Sequence, residues 1–319
     1  MRITLTITRF NPETDQRPSA VRYRLDVGRG ATVLDTLLRV RNEQEGSLAL
    51  RYSCRSAICG SCAMEINGTE KLACRASVRK EWERHGAIAV APLRNLPVIK
   101  DLVVDMSPFW GKIREVTPWL SSAPGQPGRE HRLPPGSYSF HNVDACILCG
   151  ACVAACTVHE VSPQFLGPAA LAKADRFLED PREPQASKRH RLVVLEQEHG
   201  MWDCTRCNFC VEVCPKDVQP MEAIIRLRRS ALEAGLTATG GARHVMGFAG
   251  LIRQHGRLNE ALMPLKIVGL NLPRFLRVLP LGLAMLRRGK VPSPFAPAIA
   301  GMTYVRSLFA ATKRRGGEA

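Results

Sequence analysis

"CTRCNFCVEVC", residues 204–214, carries four cysteines with two, two and three residues between them, and Pro215 follows at once. The same spacing occurs upstream in "CILCGACVAAC", residues 146–156. Two copies of C-x2-C-x2-C-x3-C make an internal repeat. A C-x2-C-x2-C segment can cap three irons of a four-iron cube. Its fourth cysteine points away and, in two-cluster proteins, binds the other cube. The repeat therefore predicts one [4Fe–4S] core on Cys146, Cys149, Cys152 and Cys214, and a second on Cys204, Cys207, Cys210 and Cys156. Such crossed ligation staples the two halves of a helical region, so the fold there should need its metal.

The other four of the twelve cysteines are Cys54, Cys59, Cys62 and Cys74, separated by four, two and eleven residues. One tight loop, "SCRSAICGSC" (53–62), can wrap three thiolates round a two-iron core, and a nearby strand end can supply the fourth. This is the plant-type [2Fe–2S] arrangement. Gly60 and Ser61 keep the loop small, so that backbone N–H groups can point at the sulfurs. A zinc site usually combines two C-x2-C knuckles and is a poorer match. Disulfides are the weaker reading of all twelve cysteines. The chain starts "MRITLTITRF", which alternates like a strand and lacks the apolar core of a signal peptide; C-x2-C spacing in that setting points to metal. With three clusters completed by thiolates, His141, His159, His190 and His199 are expected at the surface or in hydrogen bonds, and Trp202 in core packing.

Hydropathy places these sites. Ile3, Leu5 and Ile7 alternate with threonines, and Val21, Tyr23, Leu25 and Val27 repeat the pattern after the turn-rich "NPETDQRPSA", so a β-hairpin is expected. Val33, Leu34, Leu37 and Leu38 share one helical face, Asn67-Gly68 marks a hairpin turn, and "GAIAVAP" (86–92) reads as a further strand. Residues 117–136, with five prolines, read as loop. From 140 to 240 the signals are helical, with Pro168 and Pro220 at first helical positions. The helix from Pro220 should bury Met221, Ile224, Ile225 and Leu232 and stop at Gly235. The fold class is α+β, divided at 1–105, 106–240 and 241–319.

The formal charge is +16, and residues 241–319 hold 13 Lys/Arg against two acids, a local excess of 13 − 2 = +11. The apolar stretch "LMPLKIVGLNLPRFLRVLPLGLAML" (262–286) is broken by Pro264, Pro273 and Pro280 and interrupted by charges, so it reads as short amphipathic helices rather than a membrane span. An acidic partner protein or an anionic membrane surface fits this region. Nucleic acid is not expected, since no interleaved aromatics or nucleic-acid module accompany the charge.

Taken together, "CRSAICGSCAMEINGTEKLAC" (54–74), "PLRNLPVIKDLVVDM" (92–106), "CILCGACVAAC", "FLGPAALAKADRFLEDPRE" (165–183) and "CVEVCPKDVQPMEAI" (210–224) resemble the iron–sulfur subunit of succinate dehydrogenase and fumarate reductase. The resemblance implies a β-grasp [2Fe–2S] domain followed by an α-helical ferredoxin domain. It implies an FAD-containing flavoprotein partner that interconverts succinate and fumarate, and a membrane anchor. This chain would then carry electrons in the respiratory chain and tricarboxylic acid cycle without binding substrate, at the cytoplasmic face of the membrane and peripheral to it. Two departures stand out. Most such subunits have a non-cysteine residue at the place of Cys207, which leaves a [3Fe–4S] cluster, so a second four-iron core is expected here with a three-iron core as its alternative. Thr157 and Thr205 stand where the family usually has the Pro and His that help form a quinone site, and no Trp occurs in "CTVHEVSPQF". With "GRLNEALMPL" and "LRRGK" in the tail, which look like heterodisulfide reductase C-type subunits, these features resemble the type E succinate dehydrogenases, whose anchor side uses a cysteine-rich, heterodisulfide-reductase-B-like subunit. A thiol-linked fumarate reductase or heterodisulfide-type complex is the alternative within redox chemistry. A free ferredoxin-like carrier or cluster sensor is the alternative of another class, disfavoured by the size and the apolar basic tail.

Overall fold

Alternation in residues 2–8 leaves Ile3, Leu5 and Ile7 fully buried while the threonines between them stay partly exposed. This segment is β1 (Arg2–Arg9), and it pairs antiparallel with β2 (Ser19–Asp26), Leu5 opposite Tyr23. The computed structural model describes residues 1–121, 140–269, 272–291, 293, 295 and 297–315. Helix α1 (Val33–Glu43) starts at a capping box, with the Thr32 hydroxyl and the Asp35 carboxylate each accepting from the other's backbone N–H. It buries Val33, Leu34, Leu37, Leu38 and Val40. Strands β3 (Ala63–Ile66) and β4 (Thr69–Leu72) join at Asn67-Gly68, both with positive φ, the backbone that a two-residue hairpin requires. After α2 (Val78–His85), β5 (Ile88–Ala91) enters the middle of the sheet, parallel to β1 and antiparallel to β3, giving the order β2-β1-β5-β3-β4. A ribbon of β6 (Val98–Lys100) and β7 (Val103–Val104) follows. Between its strands, the buried Asp101 accepts from Arg9 Nε at 2.9 Å and from the backbone N–H groups of Phe10 and Ala49 at 3.0 and 2.9 Å, clamping three segments to one carboxylate.

The helical region comprises α3 (Ser107–Glu115), α4 (Ala151–Ala154), α5 (Thr157–Val161), α6 (Pro168–Leu178), α7 (Gln185–Leu195), α8 (Phe209–Glu212) and α9 (Pro220–Glu233). Pro168 and Pro220 each open a helix. Of the proline-rich stretch expected as loop, 122–136 lies outside the described residues. Two buried charges organise this region. Arg226 on α9 pairs with Asp175 on α6 at 2.5 Å. Arg191 on α7 pairs with Glu183 at 2.8 Å and donates to the carbonyls of Val116, Thr117 and Trp119 beyond the end of α3. The buried face of α9 differs from expectation: it is Ala223, Ile224, Leu227 and Ala231, with Met221, Ile225 and Leu232 only half-buried. Small alanines let α9 lie close to its neighbours, so the face turns toward them.

Sheet and helices pack as one compact unit, Met1–Ala231. Asn95 ties the two parts: its side-chain amide nitrogen lies 3.0, 3.0 and 3.1 Å from the carbonyls of Val153, Ala154 and Cys156, at the end of α4. Arg75 donates to the Pro215 carbonyl at 2.9 Å, and Lys112 to that of Phe165 at 2.7 Å.

A second unit, Leu232–Ala319, contains α10 (Gly240–His255), α11 (Met263–Val268), α12 (Leu272–Arg287) and α13 (Met302–Arg315). Gly256 ends α10 with φ +73°; a Cβ there would meet Ile299 Cγ1 at 2.3 Å, so glycine is required on two grounds. Among the described residues no helix is long and apolar enough to cross a membrane.

Candidate metal-cluster sites

The first site lies on the loop between Arg51 and Cys62. Arg55, Ala57 and Gly60 take positive φ, which curls the backbone so that its N–H groups face inward. Those of Ser56, Ile58 and Cys59 reach Cys54 Sγ at 3.4, 3.4 and 3.3 Å, and that of Ala57 reaches Cys74 Sγ at 3.3 Å. The Ser61 hydroxyl donates to Cys59 Sγ at 3.2 Å and, with backbone N–H groups, draws the Cys59 thiol down to about 6. Burial instead pushes Cys62 up to about 12. N–H groups aimed at sulfur stabilise thiolates, which is the form that binds metal. Cys74 arrives just past β4, and the Ala73 N–H bonds the Cys62 carbonyl at 3.0 Å, holding the fourth thiol against the loop.

The two repeats fold alike. Each begins with a short 3-10 turn, Val143–Ala145 or Met201–Asp203. Each takes positive φ at the residue on either side of its second cysteine, Leu148 and Gly150 in one, Arg206 and Asn208 in the other. Each then enters a one-turn helix, α4 or α8. The fourth cysteines cross over. Cys146, Cys149, Cys152 and Cys214 line one cavity, walled by Ile147, Leu148, Ala169, Ala172 and Val218. Burial pushes the Cys149 thiol up to about 11, with the charges of Cys146 and Cys214 adding. Cys210 is pushed up to about 12 by burial and then by Cys204, Cys156 and Cys207. Cys156 is raised by burial, with Cys207 and Cys204 adding. Helices α4 and α8, which carry the third cysteines Cys152 and Cys210, pack against each other.

All twelve cysteines are free thiols. Among the described residues no three His, Cys, Asp or Glu side chains gather round one point as the ligands of a single ion do. Thiol quartets that do not converge on one point suit a core of several metals better than zinc, with two thiolates on each iron of a two-iron core and one on each iron of a four-iron core. The donor set and inward N–H groups thus fit iron–sulfur clusters.

Some neighbours were not foreseen. Arg228 donates to the carbonyls of Met201 and Cys204 at 2.6 and 2.7 Å and lies over the Trp202 ring at 5.3 Å. The Thr157 hydroxyl lies 3.7 Å from Cys207 Sγ. Asn95 grips the backbone around Cys156. Thr157 stood out only as a departure from the family pattern, and Arg228 and Asn95 follow no periodicity that could have singled them out. His159 is buried rather than at the surface, and its Nδ1 has no partner. Its backbone N–H faces the Cys156 thiol, whereas its ring lies toward the Phe165 backbone.

Residues 4–111 match the 2Fe-2S iron-sulfur cluster binding domain family, and residues 142–218 match the 4Fe-4S dicluster domain family. The fumarate reductase iron-sulfur subunit of Mycobacterium tuberculosis is 39% identical over 233 residues, 72% of this chain and 93% of that protein. That of Haemophilus influenzae is 37% identical, covering 70% and 90%. The chain belongs to the family of succinate dehydrogenase and fumarate reductase iron–sulfur subunits. A mitochondrial succinate dehydrogenase iron-sulfur subunit of Oryza sativa is 38% identical over 72% of this chain and 83% of its own length. A solved chain of the Mycobacterium smegmatis Sdh1 complex superposes with a TM-score of 0.58 at 27% identity, covering 73% of this chain and 96% of that one. Like its relatives, this family member sets a [2Fe–2S]-type domain before a [4Fe–4S] dicluster domain, in a mixed α and β fold.

Proposed function

We propose that this subunit conducts electrons between an FAD-containing flavoprotein and a membrane anchor or cysteine-rich acceptor subunit, and binds no substrate itself. Two cofactor regions and an extension serve it: a β-grasp domain over 1–105 with one [2Fe–2S] cluster on Cys54, Cys59, Cys62 and Cys74; a helical ferredoxin domain over 106–240 with two [4Fe–4S] clusters on the crossed quartets; and a basic extension over 241–319. When bound, the clusters supply one-electron chemistry, while the protein fixes their spacing and surroundings.

The observation that carries the reading is the continuity of the three thiol groups. A Cβ on Gly60 would stand 2.9 Å from Cys149 Cβ, so the first loop presses directly on the second site. The packing of α4, which carries Cys152, on α8, which carries Cys210, in turn sets the second site beside the third. Cys207 supplies the twelfth thiol, which supports a four-iron rather than three-iron core at the end of this series. Thr157 and Thr205 at the usual quinone-site positions support an exit into a further subunit. That favours, as a second reading, a heterodisulfide-type or thiol-linked acceptor. The resulting complex lies peripherally at the cytoplasmic face of the membrane.

The test is anaerobic co-purification. The chain should come down with a flavoprotein, and the pair should oxidise succinate with an artificial acceptor. The isolated subunit should reduce no fumarate; turnover by it alone overturns the reading. Thiol-dependent but quinone-independent turnover by the whole complex would select the second reading.

A further inference from the structure

Helix α12 is exposed along its described length, although most of it is apolar. At 3.6 residues per turn, Leu272, Phe275, Leu276, Leu279, Leu283 and Leu286 fall on one arc of about 100°. Leu272 and Leu286 are 65% and 63% exposed, so the arc is open from end to end. Arg287 borders it, Arg277 lies on the far side with Leu281, and Arg288 and Lys290 follow in the closing turn. Residues 261–315 contain no Asp or Glu.

We infer that α12 lies in the plane of an anionic lipid surface, its leucine arc in the acyl boundary and its arginines among the headgroups. The length excludes the other lipid geometry. Sixteen residues rise about 24 Å, against roughly 30 Å of hydrocarbon, and Pro280 interrupts the helix besides. The charge selects lipid over protein as occupant. A protein groove for the arc would need a separate set of acids for the cations. A bilayer with anionic headgroups presents apolar depth and negative charge along one plane, and arginine stems can snorkel between them. The inference rests on the peripheral placement proposed above and names the element and lipid chemistry responsible.

The test uses the full chain with its clusters loaded, sedimented with vesicles of mixed phosphatidylglycerol and phosphatidylcholine or of phosphatidylcholine alone. Binding should favour the anionic vesicles and fall with salt. Arg287→Gln/Arg288→Gln/Lys290→Gln should weaken binding on the order of 100-fold, each basic residue near such a surface being worth about fivefold. Leu276→Asp/Leu283→Asp should abolish it. Iron content and cluster spectra of the same samples should stay unchanged. Equal binding to both vesicle types, or variants that bind like the parent, overturns the inference. So does a parent chain that ignores vesicles while the leucine variant loses another subunit of the complex, since the arc is then a protein interface. Normal cluster spectra in any of these outcomes leave the electron-conducting reading standing, whereas a parent chain lacking clusters sinks that reading instead.

Discussion

The two cysteine repeats have one spacing and one backbone, yet their surroundings differ. The Cys146 repeat and Cys214 close on a cavity walled by aliphatic side chains, and burial dominates its thiols. The Cys204 repeat leaves Cys207 exposed, receives the Thr157 hydroxyl, and has the Arg228 guanidinium against the Cys204 carbonyl. Arg228 is half-buried, its hydrogen bonds go to carbonyls, and it has no ion-pair partner among the described residues; burial and the neighbouring Arg206 charge lower its pKa while Cys204 opposes them. On the proposed assignment the two repeats hold the same cluster type, and the neighbouring side chains would set how readily each accepts an electron. The aliphatic site should be the harder to reduce, and the site beside Arg228 the easier.

The largest effect should come from exchanging fourth cysteines. Cys214→Ala should remove the cluster of the Cys146 repeat, and Cys156→Ala that of the Cys204 repeat, each lowering iron by about four per chain. Each should also lower the thermal midpoint steeply, because the ligand that staples the two halves is gone. Iron analysis with electron paramagnetic resonance checks this; loss of the signal belonging to the variant's own repeat would mean that ligation is not crossed.

Cys207→Ser should be milder. Iron should fall from about 10 to about 9 per chain, and a three-iron signal should appear in the oxidised protein. A full three-iron signal in the unaltered protein, prepared without oxygen, would remove the asymmetry between this chain and a three-iron subunit.

Arg228→Gln should lower the midpoint potential of the Cys204-repeat cluster and leave the other unchanged, since a fixed positive charge favours the reduced state. Arg228→Lys should restore most of the shift. Stability should also fall by about 1–3 kcal/mol as the Met201 and Cys204 carbonyls lose their donor. Redox titration followed by paramagnetic resonance separates the two effects; equal potentials for Gln and Lys would leave Arg228 a purely structural part.

Thr157→Val should act least. At 3.7 Å the hydroxyl–sulfur contact is weak, and its loss should lower the same potential by on the order of 20 mV. An equal shift at both clusters would argue against a local origin.

Much of this asymmetry lay beyond sequence reasoning, although the cluster sites themselves did not. Cysteine spacing is a local property, and ligand grouping follows from it. The Asn67-Gly68 turn and the helix starts at Pro168 and Pro220 were equally legible, because each depends on one or two backbone angles. Helix α7 falls inside the stretch read as helical, but nothing marked its bounds: its buried Arg191 interrupts the apolar period, and apart from Glu183 the groups that satisfy it lie some seventy positions upstream. The face of α9 was misjudged because the pattern weighs Met221 and Ile225 above Ala223 and Ala231, whereas close packing favours the alanines. That β5 runs parallel to β1 depends on the crossover, which no alternation in "GAIAVAP" records. The packing of the sheet on the dicluster helices was not legible either. Sheet and dicluster helices form one unit through contacts such as Asn95 and Arg75, each made to residues 58 or more positions away.

The crossing of Cys214 into the first repeat's cavity has a bearing on biogenesis. A ribosome completes the loop quartet when it has made Cys74. The cavity holding Cys146, Cys149 and Cys152 stays one thiol short until Cys214 has emerged, and the neighbouring quartet is not complete before Cys210. On the proposed assignment both cubanes would therefore mature on a nearly finished helical region, their last ligands four residues apart, however early the first repeat was synthesised. Delivery of a two-iron cluster could then precede this step, whereas insertion of the four-iron clusters would be coupled to closure of the helical region itself.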